Sequence, residues 1–241
     1  MLPWERGRTR ERLQRVQPNR EAALLLSGTP AIRGGTCFRK VVGMKKIPTV
    51  FERVFENNKI IGITGCIPEE LQRAFYHGDA TVKADGACCA IIDGILYKRF
   101  DLKPGRTLPE NAIPCQESAD PITGHFPHWV KCNRENPADK WFFEAYDHSF
   151  SYGRGFPADA TYEAIGKHFN GNPYKMDFDM LVRHGWHICE NVVRSFEGVM
   201  SYLSDSNIEG LVFWYDGKPV CKIKRTDFGF DWPCKDEDME W

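Results

Sequence analysis

The sequence predicts an α+β fold built on antiparallel sheets, and three stretches predict it. Ile91-Ile92-Asp93-Gly94-Ile95-Leu96 sets an Asp-Gly turn between two apolar runs, a strong short-range signal for a β-hairpin. Residues Ile208 to Lys224 repeat that pattern around Asp216-Gly217. Ahead of the second hairpin, Val193, Phe196, Val199, Met200 and Leu203 recur at the spacing of an amphipathic helix, over Val192 to Leu203, that covers a sheet. A chain of 241 residues with 42% hydrophobic content supports one large domain with a substantial core.

Residues 1–43 differ from the rest. Arg6, Arg8, Arg10, Arg12, Arg15 and Arg20 run through polar residues with little apolar periodicity, which reads as a disordered basic arm or as sequence ahead of a second possible start at Met44. The apolar stretch Ala22 to Leu26 raises a transit peptide, but Glu5, Glu11 and Glu21 argue against one. Globular patterning spans 44–233, and 234–241 read as an acidic tail. Val50-Phe51 and Val54-Phe55 sit at helical spacing. Pro68-Glu69-Glu70-Leu71 opens a helix with acids in its first turn. Thr81-Val82, Ala87 to Ile92 and Leu96 to Phe100 read as strands, as do Lys140 to Ala145 and Leu181 to Ile188. Residues 103–140 read as long loops with a strand near Trp129-Val130, and Gly171 to Tyr174 as a turn.

A formal net charge of −1 leaves nucleic-acid binding only to a local basic patch. Nine scattered cysteines, two of them adjacent at Cys88-Cys89, suggest reduced thiols and a cytoplasmic setting. No apolar run is long enough to cross a bilayer, so no membrane partner is expected.

Charged residues interrupt the apolar strands, and this carries the functional reading. Lys83 stands in Thr81-Val82-Lys83-Ala84-Asp85-Gly86, between two runs read as strands. A lysine stem held by packing exposes its amine to a cleft, and a desolvated amine becomes nucleophilic near neutral pH. Arg99, Glu163, Glu209, Lys222 and Lys224 punctuate the other strands, with Lys222 and Lys224 on one face and Ile223 on the other. A buried charge needs a partner or a ligand, so the set suggests a polyanion site with a metal. Two lysines and Arg99 could hold a triphosphate, while Glu209 supplies an oxygen ligand to Mg²⁺ or Mn²⁺ and Glu163 accepts from ribose hydroxyls. Taken singly, each has a plainer reading: a turn with a solvated lysine, an edge-strand face, a surface acid, a salt-bridge partner. Their order around the hairpins favours the joint one. Cys115, His125, His128 and Cys132 have near zinc-like spacing, but without a Cys-x-x-Cys knuckle free thiols and loop histidines are expected.

The ordered set Lys83-Ala84-Asp85-Gly86, Glu163, Glu209-Gly210-Leu211-Val212 and Lys222-Ile223-Lys224 resembles the covalent nucleotidyltransferase superfamily of DNA ligases, RNA ligases and messenger-RNA capping enzymes. Within it, Ala87-Cys88-Cys89, Arg99 to Pro104, Gly124 to Trp129, Gly171 to Tyr174, Arg225 and Gly229 to Pro233 resemble the vertebrate-type 5′–3′ RNA ligases, over roughly residues 60–233. The resemblance implies a nucleotidyltransferase domain whose antiparallel sheets flank an ATP cleft. It implies an ATP-dependent RNA ligase working with Mg²⁺ or Mn²⁺ through a lysyl-AMP and an RNA-adenylate, on RNA with 5′-phosphate and 3′-hydroxyl ends, as a monomer. Lys83 would be the adenylated nucleophile, in a loop shaped by Asp85 and Gly86. Arg99 would contact phosphate or ribose, Glu163 ribose, Glu209 the metal and the lysine amine, and Lys222 and Lys224 the ATP phosphates. Trp186 is the candidate for stacking on adenine. Cys88 stands where DNA ligases and capping enzymes have an arginine, and little chain follows Lys224 for their oligonucleotide-binding barrel; both departures favour a compact RNA ligase. A capping-type or AMP-transferring enzyme, or a non-catalytic zinc-stabilised RNA-binding module, are the alternatives.

Overall fold

At Lys83 to Gly86 the chain crosses from one antiparallel sheet to another, and the elements before and after build those two sheets. The structure is a computed structural model and describes residues 43–234 other than Asn58, Pro104, Ile122 and 152–158. The expected arm over 1–43 and tail over 234–241 lie almost wholly outside the described residues.

In chain order the elements are β1 (Arg53–Glu56), β2 (Lys59–Ile63), α1 (Glu69–His77), β3 (Asp79–Val82), β4 (Ala87–Ile92), β5 (Ile95–Leu102), β6 (Ile113–Pro114) and β7 (Phe126–Lys131). Then follow α2 (Lys140–Ser151), β8 (Ala160–Gly166), β9 (Asp179–Arg183), α3 (Phe196–Asp205), β10 (Gly210–Tyr215) and β11 (Lys218–Lys224). Besides the β1–β2 pair there is a three-stranded sheet, β11-β10-β3, and a six-stranded sheet, β6-β7-β5-β4-β8-β9, antiparallel throughout. The α+β class read from the sequence is the class observed. Among the described residues no helix is long and apolar enough to cross a membrane.

Strand alternation decides which face of the small sheet is packed. Ala80, Leu211, Phe213, Cys221 and Ile223 point into a core with Leu71, Ala74 and Phe75 of α1 and Val199 and Leu203 of α3. Lys222 and Lys224 take the opposite face. Both hairpins turn as expected, with Asp93-Gly94 and Asp216-Gly217 at positive φ, the type I′ geometry that matches strand twist. In the large sheet, Cys89, Ile91, Leu96, Tyr162, Ala164 and Leu181 pack beneath α2. Its other face carries Glu163, in register with Cys88 and Val182.

Four expectations are corrected. Lys140 to Ala145 is not a strand but the start of α2. Its aromatics favour strands intrinsically, yet buried Ala145 and flanking Trp141, Phe142 and Tyr146 pack on the large sheet at helical spacing, and packing overrides propensity. Val50 to Phe55 is not helical: Val50 and Phe51 enter the core, while Val54 and Phe55 lie on the largely exposed β1–β2 hairpin. α3 starts later than Val192, at Phe196, because Ser195 caps it by accepting from the Gly198 amide at 3.0 Å. β9 stops at Arg183, and the following segment instead pairs with β3 through Val82 N–H to His187 O and Cys189 N–H to Ala80 O.

Candidate active site

Glu209 is the centre of the site. It immediately precedes β10 and is only 3% exposed. A buried carboxylate needs cations or donors, and two lysines supply them. Lys83, just past the end of β3, places its Nζ 2.5 Å from Oε2, and Lys224, the last residue of β11, places its Nζ 2.5 Å from Oε1. Local pairing fixes both stems: the Lys83 amide donates to the Gly210 carbonyl at 2.9 Å, and Lys224 is in register with Gly210.

Lys222 lies two residues back on the same face, opposite Val212. No carboxylate lies within ion-pair distance of it among the described residues. Burial, then the charges of Lys83 and Lys224, pull its pKa down from 10.5 to about 8. Two lysines thus hold one carboxylate and a third stands near them, an arrangement short of negative charge and suited to a polyanion.

The turn after Lys83 is clamped from three directions. The Asp85 amide donates to Tyr174 Oη at 2.5 Å, Asn170 Nδ2 donates to Asp85 Oδ1 and to the Gly86 carbonyl, both at 2.8 Å, and Trp232 Nε1 donates to Asp85 Oδ2 at 2.8 Å. Gly86 passes so close to β8 that a Cβ there would stand 2.1 Å from the Ala164 carbonyl oxygen. Tyr174 lies within electrostatic reach of Asp85, Glu209 and Glu163. Burial chiefly pushes its phenol up, and the charges of Asp85, Glu209 and Glu163 push the same way.

On the large sheet, Glu163 Oε2 lies 2.9 Å from His184 Nε2, and His184 Nδ1 lies 3.0 Å from Thr161 Oγ1. Cys88 neighbours both Glu163 and Arg99; burial foremost, then Glu163, raises its thiol pKa well above the usual range. Arg99 itself donates through Nε and Nη2 to Asp101 Oδ1 at 3.1 and 3.0 Å. Trp186 is 67% exposed, with the Arg183 guanidinium 5.6 Å from its ring centre.

The structure therefore brings Lys83, Glu209, Lys222 and Lys224 into one cluster, with Asp85 and Gly86 in the adjoining clamp. Glu163 and Arg99 lie on the second sheet, and Trp186 stands in solvent. Cys115, His125, His128 and Cys132 do not form a ligand set among the described residues; Cys115 packs with Trp129, and Cys132 with Leu96. The eight described cysteines are free thiols. Sequence reasoning gave no role to Asn170, Tyr174, Trp232 or His184. The first three lie in or beside stretches that carry the family resemblance, which was the available signal.

Two lysines from different segments share one buried carboxylate, an arrangement chemically suited to opposing the charge of a polyanion. A sequence model of the family RNA ligase 1 matches residues 157–240, a span that includes Glu163, Glu209, Lys222 and Lys224. RNA ligase 1 of Pongo abelii is 22% identical over 276 residues, covering 81% of this chain and 84% of that protein. RNA ligase 1 of Mus musculus is 23% identical over 272 residues, at 81% and 83% coverage, and that of Danio rerio 23% identical over 273 residues, at 80% and 83%. The chain is thus similar, at low identity, to RNA ligase 1 proteins over most of its length.

Proposed function

We propose that this protein is an ATP-dependent RNA ligase with a nucleotidyltransferase fold, whose ATP cleft opens beside Lys83. The observation that carries the reading is the Lys83–Glu209–Lys224 cluster, with a desolvated Lys222 beside it. In the first step the Lys83 amine attacks the α-phosphorus of ATP in line; a P–N bond forms and the bond to pyrophosphate breaks. Glu209 already accepts from Lys83 and is positioned to hold the proton that leaves. Lys222 and Lys224 take the phosphates and oppose the charge that develops on them. AMP then passes to an RNA 5′-phosphate, and a 3′-hydroxyl displaces AMP to join the strands. Glu163 is assigned to the ribose hydroxyls, Arg99 to the same nucleotide, and the exposed indole of Trp186 to adenine.

Glu209 also suits Mg²⁺ or Mn²⁺, because such ions need only one or two carboxylates when phosphates supply further oxygens. Bound there, the ion would neutralise phosphate charge. The test is labelling with ATP carrying ³²P at the α-phosphate, followed by denaturing electrophoresis. Wild type is expected to take up label and Lys83→Ala none; label surviving that substitution overturns the assignment. Joining of a 5′-phosphorylated RNA separates a ligase from a capping-type enzyme, which forms the adduct and seals nothing.

A further inference from the structure

We propose that Cys88, Glu163 and His184 form a binding site for a thiophilic divalent cation, with Zn²⁺ the ion whose preferences they match. One ligand atom from each, a thiol sulfur, a carboxylate oxygen and an imidazole nitrogen, lies within 4.8 Å of the other two. Zinc is commonly held by three protein ligands of these kinds, with a fourth position left open. The scaffold is rigid: Cys88 and Glu163 are register partners on adjacent strands, and His184 follows β9 with its amide bonded to the Thr161 carbonyl at 3.1 Å. The Glu163 and His184 side chains are only 14% and 19% exposed. Thr161 Oγ1, at His184 Nδ1, supplies the outer partner that metal-bound histidines usually have. Arg99 beside Cys88 is already balanced by Asp101.

The other cluster of ligating side chains, Glu144, His168 and Asp179, is less suited. It has no sulfur, two of its three members are exposed, and His168 is stacked on Trp141 and bonded to Asp179.

Binding sets the protonation of Cys88 and His184. The Cys88 thiol releases its proton to solvent as the metal–sulfur bond forms. Bound through Nε2, the His184 ring carries its hydrogen at Nδ1, where Thr161 Oγ1 accepts it, so the thiol proton is the one released per ion. On the assignment of Glu163 to the nucleotide sugar, the ion and ATP compete for the same carboxylate, which makes the site an inhibitory one.

The test is titration of metal-stripped full-length protein with Co²⁺, whose thiolate complexes absorb in the near ultraviolet, followed by displacement with Zn²⁺. One ion per chain is expected, with release of one proton. The charge-transfer band is expected to vanish in Cys88→Ser, and Glu163→Gln serves as a second ligand variant should the first fold poorly. Thr161→Val is expected to weaken binding by about 10–100-fold with the band retained. Absence of stoichiometric binding, or an undiminished band in Cys88→Ser, overturns the site. Zn²⁺ is also expected to raise the KM for ATP. Stoichiometric binding without that competition upholds the metal site and removes only the ribose assignment of Glu163.

Discussion

The amine of Lys83 lies 2.5 Å from Oε2 of Glu209, although 126 positions separate the two residues. The opposite oxygen holds Lys224 at the same distance, so one buried charge orients two cations. Glu209→Gln keeps the shape and removes the charge. Uptake of the α-phosphate label is expected to fall by about 100-fold or more, the scale of losing one charge-stabilising group. Stability is expected to drop by about 1–3 kcal/mol in urea denaturation, because the partly exposed lysines can rehydrate. Labelling at the wild-type rate would separate Glu209 from the reaction.

Lys222 gives the site a pH signature. Its pKa falls from 10.5 to about 8 on folding, so between those values the unfolded chain binds more protons than the folded one. Stability should therefore rise as pH increases from about 8 towards 10.5, with the penalty of the buried ammonium fully present below about 8. ATP binding should respond in the opposite sense, since the triphosphate needs the charged form. The expected profile is a kcat/KM for ATP that declines above about pH 8, with the decline moved to higher pH in Lys222→Arg. An alkaline limb unmoved by that substitution assigns the titration elsewhere.

Asp85 has both carboxylate oxygens engaged, by Asn170 and by Trp232. Trp232→Phe removes one donor and keeps most of the ring. A hydrogen bond to a charged group contributes about 1.5–3 kcal/mol, so a loss of that order is expected in thermal or urea unfolding. The adenylation rate should fall by about tenfold as the Lys83 loop loosens, with KM for ATP little changed. A change confined to KM would instead place Trp232 in contact with the nucleotide.

What the sequence made legible was local. Asp-Gly turns impose their hairpins through two residues, and Lys222-Ile223-Lys224 declares its faces by alternation, with Ile223 fully buried. The lysine–carboxylate cluster was also recoverable, because an ionisable residue at the edge of an apolar strand needs a partner. The clamp on Asp85 was not, since Asn170 and Trp232 stand 85 and 147 positions away and the resemblance stretches beside them do not say which loop they bind. His184 was hidden for a related reason: its role depends on β9 ending at Arg183, a boundary that the apolar run towards Ile188 obscures. Lys140 to Ala145 misled because aromatic side chains suit strands, and only contact with the large sheet reveals a helix.

Trp186 tests the nucleotide assignment from the other side. An indole that is 67% exposed, with the Arg183 guanidinium 5.6 Å from its ring centre, contributes little to folding, so Trp186→Ala should change stability by no more than about 0.5 kcal/mol. Stacking of a base on an aromatic ring contributes about 1–3 kcal/mol. If adenine stacks on it, the substitution should raise the KM for ATP by about tenfold, and Trp186→Phe should recover most of the loss. Joining of an RNA already carrying a 5′-adenylate should also slow at low RNA concentration, because that RNA presents the same adenine to the ring. A normal KM combined with slowed joining would move Trp186 from the adenine to the RNA, because the ring would then be stacking on a base of the strand being sealed.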